Sequence, residues 1–341
     1  MSQAIPRTMR VIEATGFGID KLALVERPVP EPAPGQILVR LTTATLNYRD
    51  FAILSGRYRA GLQFERSYVP ASDGCGTVAA LGAGVTRFRV GDRVVPVYTQ
   101  GWVDGRPTPE MRATRTIGFP LDGVLREFIA VPAEDAVHAP ASLTDIEAAT
   151  LPIAGVTAWT TLQEGGDWVL AMGTGGVAIF ALLFAKLAGA QVAVISSTDD
   201  KLARARALGA DAIVNYRTTA DWAPAVRQAT GNRGVDIVIE TAGTLGPSIA
   251  AAAFGAIIGV VGFTGSHASQ LDVRQVIMPM IRIQGIAVGS RNGFEAMNRA
   301  IDHRGLKPVV DQVFPLEHAI DAFALMECRG HFGKIAIRIA D

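Results

Sequence analysis

Trp168–Leu208 reads WVLAMGTGGVAIFALLFAKLAGAQVAVISSTDDKLARARAL. It opens on a short apolar run, Trp168–Met172, with the composition of a strand buried on both faces. A glycine-dense turn follows, Gly173-Thr-Gly175-Gly176-Val177-Ala178. Ile179, Leu182, Leu183, Lys186 and Leu187 then recur at helical spacing up to Gly189, a helix stop. Gln191–Ile195 reads as a second strand, and another helix starts near Asp199. Strand, tight glycine turn, helix and strand in that order form the setting in which a glycine fingerprint carries meaning. Gly173 permits the tight exit from the strand. Gly175 lets a pyrophosphate approach the backbone, and Ala178 is small where helix and strand pack closely. The phosphates of a dinucleotide are then expected on the N–H groups of Gly176 and Val177, at the positive end of the helix.

The end of the second strand bears on which dinucleotide. NAD sites place Asp or Glu there, about 20 residues past the first glycine, to accept from the ribose 2′-OH. This chain has Ser196 at that place, 23 positions after Gly173, followed by Ser197 and Lys201. Hydroxyls and an ammonium suit a 2′-phosphate, which a carboxylate would repel. NADPH is expected in preference to NADH. Asp199 and Asp200 read as helix N-terminal acids.

With 341 residues the chain is long for one core, and two domains are expected. Basic and acidic side chains balance at 32 each, so no net field recruits nucleic acid or an anionic membrane surface. Two cysteines, Cys75 and Cys328, can build neither a disulfide framework nor a thiolate cage, and suit a reducing compartment. The first ten residues lack an apolar signal core and no run approaches the length of a membrane span. These features predict a soluble, cytoplasmic protein.

Residues 9–14, 22–30 and 36–46 alternate in the manner of half-buried antiparallel strands. Residues 47–61 read as a loop and a short helix ending at Gly56. VPASDGCGTVAALGAGVTRFRVGDRVVPVY (69–98) adds strands separated by Gly82-Ala-Gly84 and Gly91-Asp92 turns, in the style of a small barrel. Farther on, VDIVIETAG (235–243), AIIGVVGF (256–263) and IRIQGIAV (281–288) continue the strand-helix alternation begun at Trp168.

Those motifs, with GVLREFIAVPAEDAVHAPASLTDIEAATLPIAGVTAWTTL (123–162) and the closing HFGKIAIRI (331–339), resemble the medium-chain dehydrogenase/reductase superfamily over essentially the whole chain. The resemblance is nearest to its zinc-independent branch, the quinone oxidoreductases and NADPH-dependent 2-alkene reductases. It implies an α/β protein: a GroES-like, β-rich catalytic domain of residues 1–151 and 287–341 around a doubly wound Rossmann NAD(P)-binding domain, 152–286. It also implies a homodimer through edge strands, for which MPMIRI (278–283) is the candidate as a core or interface strand. One departure is the stretch Trp159–Trp168, shorter than the family usually has.

Zinc-using members carry a catalytic Cys, a Gly-His-Glu triplet and a second Cys. The matching positions read Asn47, Ala71-Ser72-Asp73 and Ile153, which leaves too few donors for a tetrahedral site. His138, His267, His303, His318 and His331 are scattered without ligand spacing. No zinc is expected.

The resemblance assigns further residues. Asn47 stands at the first zinc-ligand position, where its amide can donate to the substrate oxygen or the nicotinamide ribose. Tyr48 and Tyr58 are candidate proton or hydrogen-bond donors to a developing enolate. Arg49 and Asp50 form a local charged pair, Asp50 being structural. Ala52 and Leu54 replace the tyrosine and arginine common in quinone oxidoreductases. Thr157 matches a position beneath the nicotinamide, and Tyr216 one beside the adenosine phosphate. Phe263 and Val288 follow strand ends on the ligand side of the sheet. Phe332, Gly333 and Lys334 match the segment closing over the cofactor, with Lys334 a phosphate ligand or a solvated lysine. Cys75 reads as a buried small hydrophobe.

The expected activity is hydride transfer from NADPH to a small conjugated enone, enal or quinone. The rivals are NAD(P)-dependent alcohol/carbonyl interconversion, which needs zinc or a strong base, and non-catalytic NADPH binding.

Overall fold

In the computed structural model, which describes residues 4–265 and 268–340, the chain divides into two units, 1–153 with 290–341, and 154–289. The sequence placed these boundaries two or three residues earlier. His267 lies outside the described residues.

The first segment of the chain supplies strands β1 (Thr8–Ala14), β2 (Leu22–Pro28), β3 (Gln36–Thr45), β4 (Asp73–Leu81), β5 (Arg93–Pro96), β6 (Phe128–Pro132) and β7 (Ala136–His138). The second unit contributes β8 (Trp168–Met172), β9 (Gln191–Ser196), β10 (Ala212–Asn215), β11 (Val235–Glu240), β12 (Ala252–Val260) and β13 (Arg282–Gly285). The returning segment adds β14 (Val310–Pro315) and β15 (Lys334–Arg338).

In the first unit β1 and β2 pair antiparallel as a two-stranded sheet, and a larger sheet runs β14-β15-β3-β4-β5-β7 with β6 also on β3. β3 is its spine, paired with β4, β6 and β15, and this fits its largely apolar composition and burial. β4 carries the DGCG motif for a packing reason: a Cβ at Gly76 would lie 2.0 Å from the Arg40 carbonyl oxygen. The core gathers Ile37, Val39, Leu41, Val78, Val94, Phe128 and Ile337 from facing strands. Cys75 is fully buried and burial pushes its thiol well above the usual range, as suits a small hydrophobe.

In the second unit all strand pairs are parallel, in the order β10-β9-β8-β11-β12-β13. Renumbered within the unit this is 3-2-1-4-5-6, the doubly wound order, with its switch point between β8 and β11. The apolar run predicted as a doubly buried strand, β8, is so apart from Trp168, and in β11 only Asp236 escapes full burial. Leu170, Ile195, Val238 and Ile258 meet Trp222 and Val226 in a core beside the sheet.

MPMIRI does not form the strand predicted for it. The strand begins at Arg282, while Met280 turns the chain with φ 54° and Met278 and Met280 are 76% and 64% exposed. Their apolar character therefore serves a surface beside the edge strand, and no core of this unit. Among the described residues no helix is long and apolar enough to cross a membrane.

Candidate functional site

The glycine turn sits at the C-terminal end of β8, beside the switch point. Gly173 has φ 82°, a left-handed conformation that turns the chain sharply out of the strand, and its N–H donates to the Ile195 carbonyl at 2.8 Å. Gly175 is the N-cap of the helix Gly176–Leu187 and contributes no side chain to satisfy the first helical N–H groups. A Cβ on Gly175 would meet nothing within 4 Å, so the space at that position is open. Ala178 is buried where the helix meets the sheet. Open backbone donors, a helix dipole of three turns and a small third residue fit a pyrophosphate group.

The end of β11 braces the turn. Thr241 Oγ1 donates to the Met172 carbonyl at 2.9 Å, tying the end of β11 to that of β8. Glu240 is fully buried and accepts from the N–H groups of Ala242 at 2.7 Å, Gly243 at 2.8 Å and Thr244 at 3.3 Å, and from Ser248 Oγ. Sequence reasoning passed over Glu240, although an acid closing an otherwise apolar parallel strand is a signal for such a role.

At the end of β9 the structure alters the assignment. Ser196 is 2% exposed and its Oγ lies 3.4 Å from Thr174 Oγ1, inside the turn. The partly exposed serine is Ser197, and Lys201 follows in the first turn of the next helix. Tyr216 does come alongside, its N–H donating to the Ser196 carbonyl at 3.0 Å, with its side chain exposed. Asp199 accepts from Asn215 Nδ2 at 2.8 Å, so its carboxylate is engaged across the strand ends. Thr157 is buried in the helix Val156–Thr161. Phe263 follows β12 half-buried, and Val288 follows β13 at φ 71°, a costly conformation for a β-branched residue. A surface cavity of about 230 Å³ near the opposite ends of these strands is lined by Glu164, Asp167, Asp236 and Arg282. Its charges are paired, Arg282 with Glu164 at 2.6 Å and Asp236 with Arg233 at 2.6 Å.

The first unit gathers the positions that match zinc ligands. Asn47 caps the helix Tyr48–Leu54, its N–H donating to Asp50 Oδ2 at 2.9 Å. Asp73 opens β4 and accepts from the Ile153 N–H at 3.3 Å, so positions 47, 73 and 153 do converge. The cationic group among them belongs to the protein. Lys334 Nζ donates to the Leu46 carbonyl at 2.8 Å, to Asn47 Oδ1 at 2.8 Å and to Asp73 Oδ2 at 3.4 Å. Lys334 is 2% exposed, and its three N–H donors have three acceptors. This corrects the reading of Lys334 as a phosphate ligand or a solvated lysine, and Phe332 beside it is likewise buried.

A resident ammonium, an amide, one carboxylate and an isoleucine are not a zinc-binding set, which needs three protein donors of His, Cys or carboxylate type. Among the described residues no group of three or more His, Cys, Asp and Glu side chains could hold a metal ion.

Burial governs the electrostatics here. It lowers the Lys334 pKa, against the pull of Asp73 and Asp50. It raises Asp73, opposed by the Lys334 charge and the nearby Asn47 amide. It pushes Asp50 up to about 6, opposed first by Arg49. Asn47 Nδ2 is buried with no hydrogen-bond partner.

Arg49 does more than pair with Asp50, which it approaches to 3.8 Å. Its guanidinium lies over the rings of Tyr58 at 5.2 Å and Tyr98 at 5.1 Å and donates to the carbonyls of Ile117 and Phe119. Tyr58 is therefore held in a cation–aromatic cluster. Tyr98 escaped notice because nothing local marks it. Tyr48 is half-buried, its ring 6.1 Å from Phe51 and 5.9 Å from the Arg329 guanidinium.

Comparison with known proteins places this geometry. Residues 33–141 match the alcohol dehydrogenase GroES-like domain and 176–303 the zinc-binding dehydrogenase domain. A zinc-type alcohol dehydrogenase-like protein of Schizosaccharomyces pombe is 39% identical over 336 residues, 94% of this chain and 96% of the relative. A crystal structure from Sinorhizobium meliloti 1021, named as an alcohol dehydrogenase, is 42% identical with a TM-score of 0.91, covering 98% of this chain and all of that one. The structure of an NAD-dependent alcohol dehydrogenase is 34% identical with a TM-score of 0.86, over 97% of this chain and 100% of the other.

Proposed function

This chain belongs to the medium-chain dehydrogenase/reductase superfamily as an alcohol dehydrogenase-like, NAD(P)-dependent oxidoreductase, and from that premise we propose that it is a zinc-free, NADPH-dependent reductase of small conjugated enones or enals. The observation that carries this reading is Lys334 Nζ among positions 47, 73 and 153, where zinc-dependent relatives need metal donors. Reducing a conjugated C=C asks less of the protein than acidifying an alcohol. Charge develops on one oxygen, and preorganised hydrogen-bond donors stabilise it. Asn47 Nδ2, buried and without a partner, is such a donor.

NADPH supplies the hydride when bound. Gly173, Gly175, Gly176 and Val177 would cradle its pyrophosphate, and Ser197, Lys201 and Tyr216 would meet the 2′-phosphate, which no carboxylate at the end of β9 would repel. Hydride adds to the β-carbon of the acceptor and the π pair moves onto the carbonyl oxygen, which Asn47 holds. The α-carbon then takes a proton from Tyr48 or water, giving the saturated carbonyl compound. Ala52 and Leu54 are both buried and apolar where the resemblance to quinone oxidoreductases would have a tyrosine and an arginine, which favours enones and enals over quinones. The exposed Phe254, Ile277, Met278 and Met280 beside edge strand β13 support a homodimer in which two sheets join.

The test is steady-state NADPH oxidation by exhaustively chelated protein, with a cyclic enone, a 2-enal, a quinone and a saturated aldehyde in parallel. Turnover of the enone and enal without added zinc supports the reading. Turnover of the saturated aldehyde alone, or only after zinc is restored, overturns it in favour of alcohol/carbonyl interconversion, the activity for which the relatives are named. Tight NADPH binding with no turnover on any acceptor points to a non-catalytic binder.

A further inference from the structure

Asn47 could present either edge of its carboxamide outward, and the two edges have opposite effects. An N–H stabilises negative charge developing on a substrate oxygen, whereas a carbonyl oxygen repels it. Lys334 decides between them. An ammonium only donates, so the amide atom 2.8 Å from Nζ is the oxygen. Nδ2 is then the other edge, buried and without a well-formed hydrogen bond in the protein, although the Asp73 carboxylate lies close enough to be stabilised by the amide. A buried donor without a good acceptor is unfavourable, and a fold retains one where a ligand supplies the acceptor. The ammonium itself has no rotational choice: Leu46 O, Asn47 Oδ1 and Asp73 Oδ2 take its three donors, and Asp73 is braced by the Ile153 N–H and Ser72 Oγ at 3.3 Å each.

We propose that Lys334 is a positioning residue which locks the Asn47 carboxamide with its oxygen inward, so that Nδ2 faces the carbonyl oxygen of the bound acceptor. The proposal rests on the reading of the protein as a zinc-free enone reductase. In this arrangement the lysine does not touch substrate. It fixes the direction of the one donor that does.

Removing the ammonium alone strands the Asp73 carboxylate in the interior, so the cycle is built in an Asp73→Asn background. Loss of one oxyanion donor lowers kcat by roughly 100-fold or more, so Asn47→Ala in the native chain is expected to fall by that factor with KM for NADPH unchanged. Adding Lys334→Met to Asp73→Asn is expected to produce a comparable further fall in kcat. Adding Asn47→Ala to that double variant is expected to change kcat by less than twofold, because the lysine acts through the amide. Independent, multiplicative losses would overturn the role of Lys334 while leaving Asn47 as the donor. Full activity of Asn47→Ala would instead overturn the functional reading itself.

If the lysine variants do not fold, Asn47→Asp answers the same question. It keeps an oxygen for Lys334 and discards the N–H donor. Thermal stability above that of Asn47→Ala with equally low kcat supports the proposal, and stability no better than Asn47→Ala, or retained turnover, refutes it.

Discussion

Substituting alanine for Gly173 and Gly175, two residues apart in one turn, separates folding from cofactor binding. Gly175 has φ −79° and ψ −177°, a conformation open to any L-residue, and its Cβ would meet nothing within 4 Å. Gly175→Ala therefore adds no strain and no clash, and by restricting the unfolded chain it is expected to leave the protein equally stable or more stable by about 0.4–1 kcal/mol. Gly173 has φ 82°, where a Cβ costs roughly 1–2 kcal/mol, so Gly173→Ala is expected to lose about 1 kcal/mol. Ligand binding should follow a different order. The space at Gly175 is empty at the N-terminus of the helix, where the pyrophosphate is proposed to sit, so a methyl there is expected to keep it off the Gly176 and Val177 N–H groups. Hydrogen bonds to a charged group contribute about 1.5–3 kcal/mol each, so losing one weakens NADPH binding roughly 10- to 150-fold. Denaturant unfolding and a fluorescence titration with NADPH give the two numbers. Wild-type affinity in Gly175→Ala would refute the placement of the pyrophosphate. A loss of stability equal to that of Gly173→Ala would refute the geometric argument.

Three further outcomes follow from other parts of the molecule. Ionising Asp50, with its carboxyl at about 6 in place of 3.8, costs the folded chain about 3 kcal/mol. That cost is absent below pH 4, grows through pH 6 and is complete above it. Asp50→Asn keeps an acceptor for the Asn47 N–H and is expected to gain up to about 3 kcal/mol over wild type at pH 7.5 and nothing at pH 4, by denaturant unfolding at each pH. Lys201→Ala is expected to raise the KM for NADPH about tenfold or more and leave that for NADH unchanged, and equal effects on both would remove it from the 2′-phosphate site. Met278→Glu, at a surface 76% exposed beside the edge strand, is expected to convert a dimer to monomer in light scattering, and a wild-type monomer would remove that interface.

The second unit was legible because its signals are local. β8, β9 and β11 are apolar runs that the sheet buries on both sides, and the work of Gly173 and Gly175 is done within a few residues of themselves. The direction of a single side chain at a strand end was not legible. Ser196 and Ser197 differ by one step, and only the register against β10 and the packing of Thr174 show which hydroxyl is enclosed. Met278 and Met280 misled because an apolar run has the same composition in a core strand and on an exposed edge. In the first unit the absence of zinc ligands could be read residue by residue, but what stands in their place could not. Lys334 is 287 positions from Asn47, and nothing in HFGKIAIRI says that the lysine turns inward while its neighbours form the strand. Arg49 reads as a partner for Asp50, and only the fold shows the rings of Tyr58 and Tyr98 against it.

Hydride is proposed to go to carbon of a conjugated double bond without help from zinc. Reduction of a cyclic enone by chelated protein, with NADPH carrying deuterium at the transferable C4 position, tests it in one product spectrum. Deuterium at the β-carbon of a saturated ketone is the predicted result. Deuterium on a carbinol carbon, with the double bond intact, would refute enone reduction and make the protein a carbonyl reductase.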